Sequence, residues 1–253
     1  MNVLSTFSLK GKRALVTGAT RGIGYVLARA LAQAGASVII TGRHQATLTK
    51  AVDALTLEGA EITGLLLDVT QTSRITEVIS GIGRINILIN NAGIEQVCPS
   101  LEVNEALWDN IVGTNLKGAF FCAQAVAKTM ASTGKGGVII NLCSLTSCVG
   151  VSGAAAYGSS KSGLVGLTKA LSTEWAAHNI RVNGIGPGYF ETEMTQVFYQ
   201  DAQWRSTMQQ KIPLGRFGEL DDLAGSVVFL SSEAAKYITG QTLYIDGGYL
   251  SSI

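Results

Sequence analysis

Histidine is nearly absent: His44 and His178 are the two in 253 residues, and no H-x-x-x-H spacing joins them. A histidine-based zinc site is therefore excluded, and no metal is expected. Proline is scarce at 3 residues, which rules out a fibrous or polyproline chain. No excess of one charge exists, since 19 Lys and Arg face 18 Asp and Glu for a formal net charge of +1. With no long run of either sign, a nucleic-acid partner is not expected. No uninterrupted apolar stretch reaches the roughly 18 residues of a spanning helix, so no membrane partner is expected either. Met1 to Lys12 shows neither the cationic start nor the apolar centre of a signal peptide. The four cysteines, Cys98, Cys122, Cys143 and Cys148, form no C-x-x-C. They are expected to be reduced core residues of a cytoplasmic protein.

What is present is apolar and glycine-rich: 47% hydrophobic residues and 30 Gly. That is too apolar for disorder, and the length fits one large α/β domain or two small ones. Short β-branched runs at 13–17, 37–41, 62–67, 85–90, 138–142, 181–185 and 242–245 read as strands. Several are apolar at successive positions, as strands covered on both faces are. Helical spacing falls between them. Ile23, Leu27, Ala30, Leu31 and Ala34 stop at Gly35, and Leu48, Ala51, Val52 and Leu55 stop before Gly59. The alternation predicts a single-domain Rossmann fold over 1–253. Its core is a doubly wound parallel sheet of about seven strands with helices on both faces. One connection, at about 189–216, is unusually long and carries Met194, Val197, Phe198, Trp204 and Met208. It reads as a substrate lid with short helices or as a subunit contact.

The first strand runs into Thr17-Gly18-Ala19-Thr20-Arg21-Gly22-Ile23-Gly24, then a helix. Glycines in that context let backbone N–H groups approach a pyrophosphate at the helix N-terminus. At the end of the second strand, Thr41-Gly42-Arg43-His44 offers no acid for a ribose 2′-OH before Asp53. Arg43 and Arg21 suit a 2′-phosphate instead, which points to NADP(H) over NAD(H). Tyr157 and Lys161 lie four apart, on one helix face. An ammonium near a phenol stabilises the phenolate, as an acid/base Tyr requires. Ser144 follows the apolar strand at 138–142, at the edge where open α/β sheets bind ligands.

These pieces resemble the short-chain dehydrogenase/reductase family. So do Asp68-Val69, Asn90-Asn91-Ala92-Gly93, Asn115, Pro187-Gly188, Thr192 and Asp246-Gly247-Gly248. Order and spacing match over essentially the whole length. In motif detail, His178 to Thr195 is most similar to gluconate 5-dehydrogenase-like members, with 3-ketoacyl reductase-like members also close. The resemblance implies Tyr157 as general acid or base, Ser144 on the carbonyl oxygen and Lys161 lowering the Tyr157 pKa and holding the nicotinamide ribose. It implies a water supported by Asn115. It places Asp68 and Val69 by the adenine, Asn91, Ala92 and Gly93 by the ribose, and Pro187, Gly188, Phe190 and Thr192 by the nicotinamide. It also implies a homotetramer.

Sugar-acid members place basic residues just after Asn-Asn-Ala-Gly-Ile. Here Ile94-Glu95-Gln96-Val97 has no cation. The expected substrate-side residues are Glu95, Gln96, Leu145, Thr146, Val151, Met194, Phe198 and Trp204, mostly apolar with one negative charge. The expected reaction interconverts a ketone and a secondary alcohol, with a neutral or cationic ketone as the small-molecule substrate. A sugar-acid or polyol dehydrogenase is the alternative. A catalytically silent dinucleotide-binding scaffold is disfavoured by the intact Ser, Tyr, Lys set.

Overall fold

Each of the seven apolar runs forms a strand, and all pair in parallel in one sheet. The computed structural model describes residues 2–192 and 199–253. The strands are β1 (Arg13–Val16), β2 (Ser37–Gly42), β3 (Ile62–Leu66), β4 (Ile87–Asn90), β5 (Gly137–Leu142), β6 (Ile180–Pro187) and β7 (Thr242–Ile245). Their order is β3-β2-β1-β4-β5-β6-β7, so the chain reverses direction across the sheet between β1 and β4. The crevice beyond the strand C-termini at such a reversal is where doubly wound sheets bind ligands.

The described helices are α1 (Gly22–Gln33), α2 (Gln45–Leu57), α3 (Thr72–Gly81), α4 (Glu105–Val112), α5 (Ala119–Ser132), α6 (Ala155–Trp175), α7 (Ala202–Lys211) and α8 (Ala224–Ser231). Period-two alternation in the strands divides the core. Ala14, Val16, Val38 and Ile40 face one layer with Leu27 and Leu31 of α1, Leu55 of α2 and Val227 of α8. Leu15, Ile39, Leu88 and Ile139 face the other with Ile75 and Ile79 of α3, Val126 of α5 and Leu171 of α6. Leaving water contributes about 1.5–3 kcal/mol for each such side chain. Strands apolar on both faces must be covered on both, which is why the central runs lack polar alternation. The edge strands β3 and β7 are less covered, with Leu66 and Leu243 exposed.

α1 and α2 end as the glycines predict, with Gly35 at φ +100° and Gly59 at φ +85°. β6 runs on to Pro187, two residues past the expected end. Gly113–Gly118, between α4 and α5, is a π-helical segment that carries Asn115. Wide turns of this kind often mark functional positions.

The long connection holds one described helix, α7, capped by Asp201 accepting from the N–H of Gln203 and of Trp204. Its base closes at the Phe190–Gly218 bridge. Cys122 and Cys143 are buried as expected, but Cys98 is half-buried and Cys148 exposed. The Cys148 thiol lies 2.9 Å from the Tyr244 hydroxyl, because the loop after β5 leads it out of the core toward β7. Among the described residues, no helix is long and apolar enough to cross a membrane.

Candidate active site

A cleft of about 860 Å³ opens at the C-terminal ends of β1, β2, β4, β5 and β6. One half is built around the glycine loop. Thr17 Oγ1 accepts from the N–H of Asn91 (3.0 Å) and Ala92 (3.1 Å). Asn91 Nδ2 returns two bonds, to Thr17 O and Gly18 O, both 2.9 Å. These bonds tie the loop after β1 to the loop after β4. Gly24 must be glycine here, because a Cβ would sit 2.3 Å from Asn91 Nδ2 and 2.7 Å from Gly18 O. Gly22 differs: its φ is +57° and a Cβ would meet nothing within 4 Å. Gly22 therefore leaves space at the start of α1, where no side-chain cap bond forms. That is a cradle for a pyrophosphate on backbone N–H groups and the helix dipole. Beyond β2, Arg43, His44, Thr47 and Lys50 line the same end, while Asp68 and Val69 line the opposite wall. The donor set fits a dinucleotide with an anionic group on its adenosine ribose.

Every expected cofactor residue lines the cleft: Gly18, Thr20, Arg21, Gly22, Ile23, Gly24, Arg43, Asp68, Val69, Asn91, Ala92, Gly93, Pro187, Gly188, Phe190 and Thr192. Lys50 and His44 were not anticipated as members of this wall. A helix-face lysine with no motif around it carries no sequence signal.

The other half holds Ser144, Tyr157 and Lys161. Ser144 caps the turn after β5 and accepts from the N–H of Thr146 at 3.2 Å. Its hydroxyl hydrogen-bonds Tyr157. Lys161, buried in α6, donates to Leu142 O at 2.6 Å, and its Nζ lies 5.6 Å from the Tyr157 ring centroid. Desolvation pushes Lys161 down to about 8 from 10.5, against the opposing charges of Cys143 and Glu95. The expected lowering of Tyr157 is not seen. Burial raises its pKa first and Glu95 raises it further, while the bond from Ser144 opposes. The reason is that the phenol is fully enclosed, so loss of water around the phenolate outweighs its hydrogen bond with Ser144.

Asn115 does not line the cleft. Its Oδ1 accepts from Ile94 N–H at 2.8 Å, and its Nδ2 donates to Ile94 O at 2.9 Å and Ser160 Oγ at 3.1 Å. The side chain thus fastens the loop after β4 to α6, directly behind Glu95.

On the substrate side, Glu95, Leu145, Thr146, Val151 and Trp204 line the cleft. Gln96 does not: it is exposed and lies outside the cleft wall. Met194 and Phe198 lie outside the described residues. Val97, Tyr189 and Tyr199 line this half without having been anticipated. Tyr189 and Tyr199 pack edge-on against Trp204, with ring centroids 5.8 and 5.4 Å away, and Phe217 stacks on Trp204. That cluster gives the apolar residues of the long connection something to cover. Burial raises the Glu95 carboxyl, with Lys161 opposing.

The family model described as enoyl-(acyl carrier protein) reductase matches residues 18–250. A gluconate 5-dehydrogenase of Gluconobacter oxydans is 41% identical over 251 residues, covering 98% of both chains. A solved structure from Sinorhizobium meliloti 1021, a candidate short-chain alcohol dehydrogenase, is 55% identical with a TM-score of 0.94, covering 98% of this chain and 100% of that one. The crystal structure of a gluconate 5-dehydrogenase from Burkholderia cenocepacia J2315, in complex with NADP and tartrate, is 38% identical with a TM-score of 0.96 and covers both chains fully.

Proposed function

The chain belongs to the short-chain dehydrogenase/reductase family, and from that premise we propose that it is an NADP(H)-dependent oxidoreductase interconverting a ketone and a secondary alcohol on a polyhydroxylated substrate. One observation carries the reading: Ser144, Tyr157 and Lys161 converge at one end of a cleft whose other end is a glycine cradle rimmed by Arg43 and Lys50. A silent scaffold has no need of that convergence. The gluconate relatives support the sugar-acid or polyol alternative, through its sugar-acid member, over a general neutral or cationic ketone. The enzyme reading is thus kept, and the substrate narrows from any neutral or cationic ketone to a polyhydroxylated compound.

When bound, NADPH supplies the hydride. The Gly18 to Gly24 loop and the start of α1 hold its pyrophosphate, Arg43 and Lys50 its 2′-phosphate, and Pro187 to Thr192 its nicotinamide end. Ser144 donates to the substrate oxygen as charge develops there. Tyr157 delivers a proton to that oxygen in reduction and removes it in oxidation. A raised phenol pKa favours the protonated form, which is the form reduction uses. Lys161 keeps a positive charge behind the phenol, and Asn115 holds the loop that closes this side. The long connection, with its Tyr189–Tyr199–Trp204 cluster, covers the substrate and excludes water.

A cofactor-resolved screen over sugar acids, polyols and their keto forms tests the reading. NADPH consumption with at least one keto compound, well above NADH consumption, is expected. Absence of NADP(H)-linked turnover across the panel refutes it.

The assembly is a homotetramer, supported by the small residues Gly158 and Gly166 of α6, where an added Cβ meets at most one backbone atom at 3.7 Å or nothing at all. Light scattering is expected to return four times the chain mass of 26.5 kDa. A mass of one chain refutes it.

A further inference from the structure

We propose that the substrate carries no carboxylate, that it is a neutral polyol or the corresponding ketose, and that Glu95 selects it. This rests on the oxidoreductase reading above and names the substrate class of that same site.

The loop after β4 is not free to turn Glu95 away. Both backbone groups of Ile94 are bonded to the Asn115 side chain. Gly93 packs so closely that a Cβ there would lie 3.3 Å from Asn115 Oδ1 and 3.6 Å from Lys161 Nζ. The next side chain, half-buried Glu95, enters the cleft wall within electrostatic reach of both Tyr157 and Lys161.

A carboxylate taken from water into this space needs a cationic or multiple N–H partner. Lys161 is the one cation among the described residues lining the catalytic half, and it already donates to Leu142 O. Arg21, Arg43, His44 and Lys50 belong to the opposite half. Residues 193–198 contain no Lys or Arg in their sequence. Arg205, one position past Trp204, sits over the Phe217 ring, in a separate cavity beside Arg29 and Arg216. A substrate carboxylate thus finds, among the described residues of this half, no side-chain cation beyond Lys161 and one like charge.

A polyol finds the reverse. Two neighbouring hydroxyls donate to the two oxygens of Glu95. Thr146 is in the same wall, and its Oγ1 has no hydrogen-bond partner among the described residues. The faces of Tyr189 and Trp204 suit the C–H surfaces of a sugar chain. Discrimination by repulsion is as effective as discrimination by contact.

Matched pairs that differ only at C1 isolate the charge: D-glucitol with D-gluconate, D-mannitol with D-mannonate, galactitol with D-galactonate, each with NADP⁺ at one pH. The polyol of the best pair is expected to exceed its aldonate in kcat/KM by about tenfold or more, the scale of one unfavourable polar contact. E95Q is expected to narrow that ratio by about tenfold while leaving NADPH affinity in place, the latter serving as the folding control. An aldonate preferred by the parent enzyme overturns the proposal whatever the variant does. So does a ratio that E95Q leaves unchanged. No NADP(H)-linked turnover with either member of any pair overturns the oxidoreductase reading itself, and this proposal with it.

Discussion

Tyr157→Phe is expected to lower kcat by about a thousandfold, inside the range that a positioned proton donor supplies. NADPH affinity is expected to stay within about twofold of the parent, because the phenyl ring keeps its place in α6. The substitution removes one hydroxyl and its hydrogen bond with Ser144. It leaves Lys161 with its bond to Leu142 O and leaves the glycine cradle untouched. Stopped-flow NADPH oxidation and fluorescence titration separate the two quantities. Turnover within about tenfold of the parent contradicts Tyr157 as the acid/base. A parallel loss of NADPH binding points instead to a collapse of the helix around it.

Arg43→Ala is expected to raise the Kd of NADPH by about ten- to a hundredfold, the size of one lost charge-assisted phosphate contact. The Kd of NADH is expected to move by no more than about twofold, since NADH presents no 2′-phosphate. Arg43 is exposed at the rim, with His44 and Lys50 lining the same end of the cleft. Some preference for NADPH therefore survives in the variant, and it weakens as ionic strength rises. Equal losses for the two cofactors contradict the 2′-phosphate assignment. Titrations of both cofactors at two salt concentrations make the distinction.

The amino-acid sequence by itself determined the sheet, and it singled out the glycine loop and the Ser144, Tyr157 and Lys161 set that the fold brings into one cleft. Strands covered on both faces must be apolar at successive positions, so the runs at 37–41 and 138–142 announce themselves without tertiary information. Gly18 and Gly24 are legible because a close backbone approach tolerates no side chain, Gly22 because its φ is positive, and Tyr157 and Lys161 because one helical turn separates them. The absence of an acid after β2 is likewise a local fact. Tertiary structure alone decided which neighbouring residues face the cleft. Glu95 enters it and Gln96 does not, and Asn115, reaching from the π-helical segment 21 positions after Ile94, fixes the backbone immediately before Glu95. Lys50 joins Arg43 only when α2 is laid on the sheet beside β2. Tyr189, Tyr199 and Trp204 become one wall only when the long connection folds back over β6. The sign of the Tyr157 shift belongs to the same class. Spacing puts a lysine one turn away, but burial, Glu95 and Ser144 set the balance, and all three act through distances that no local pattern encodes.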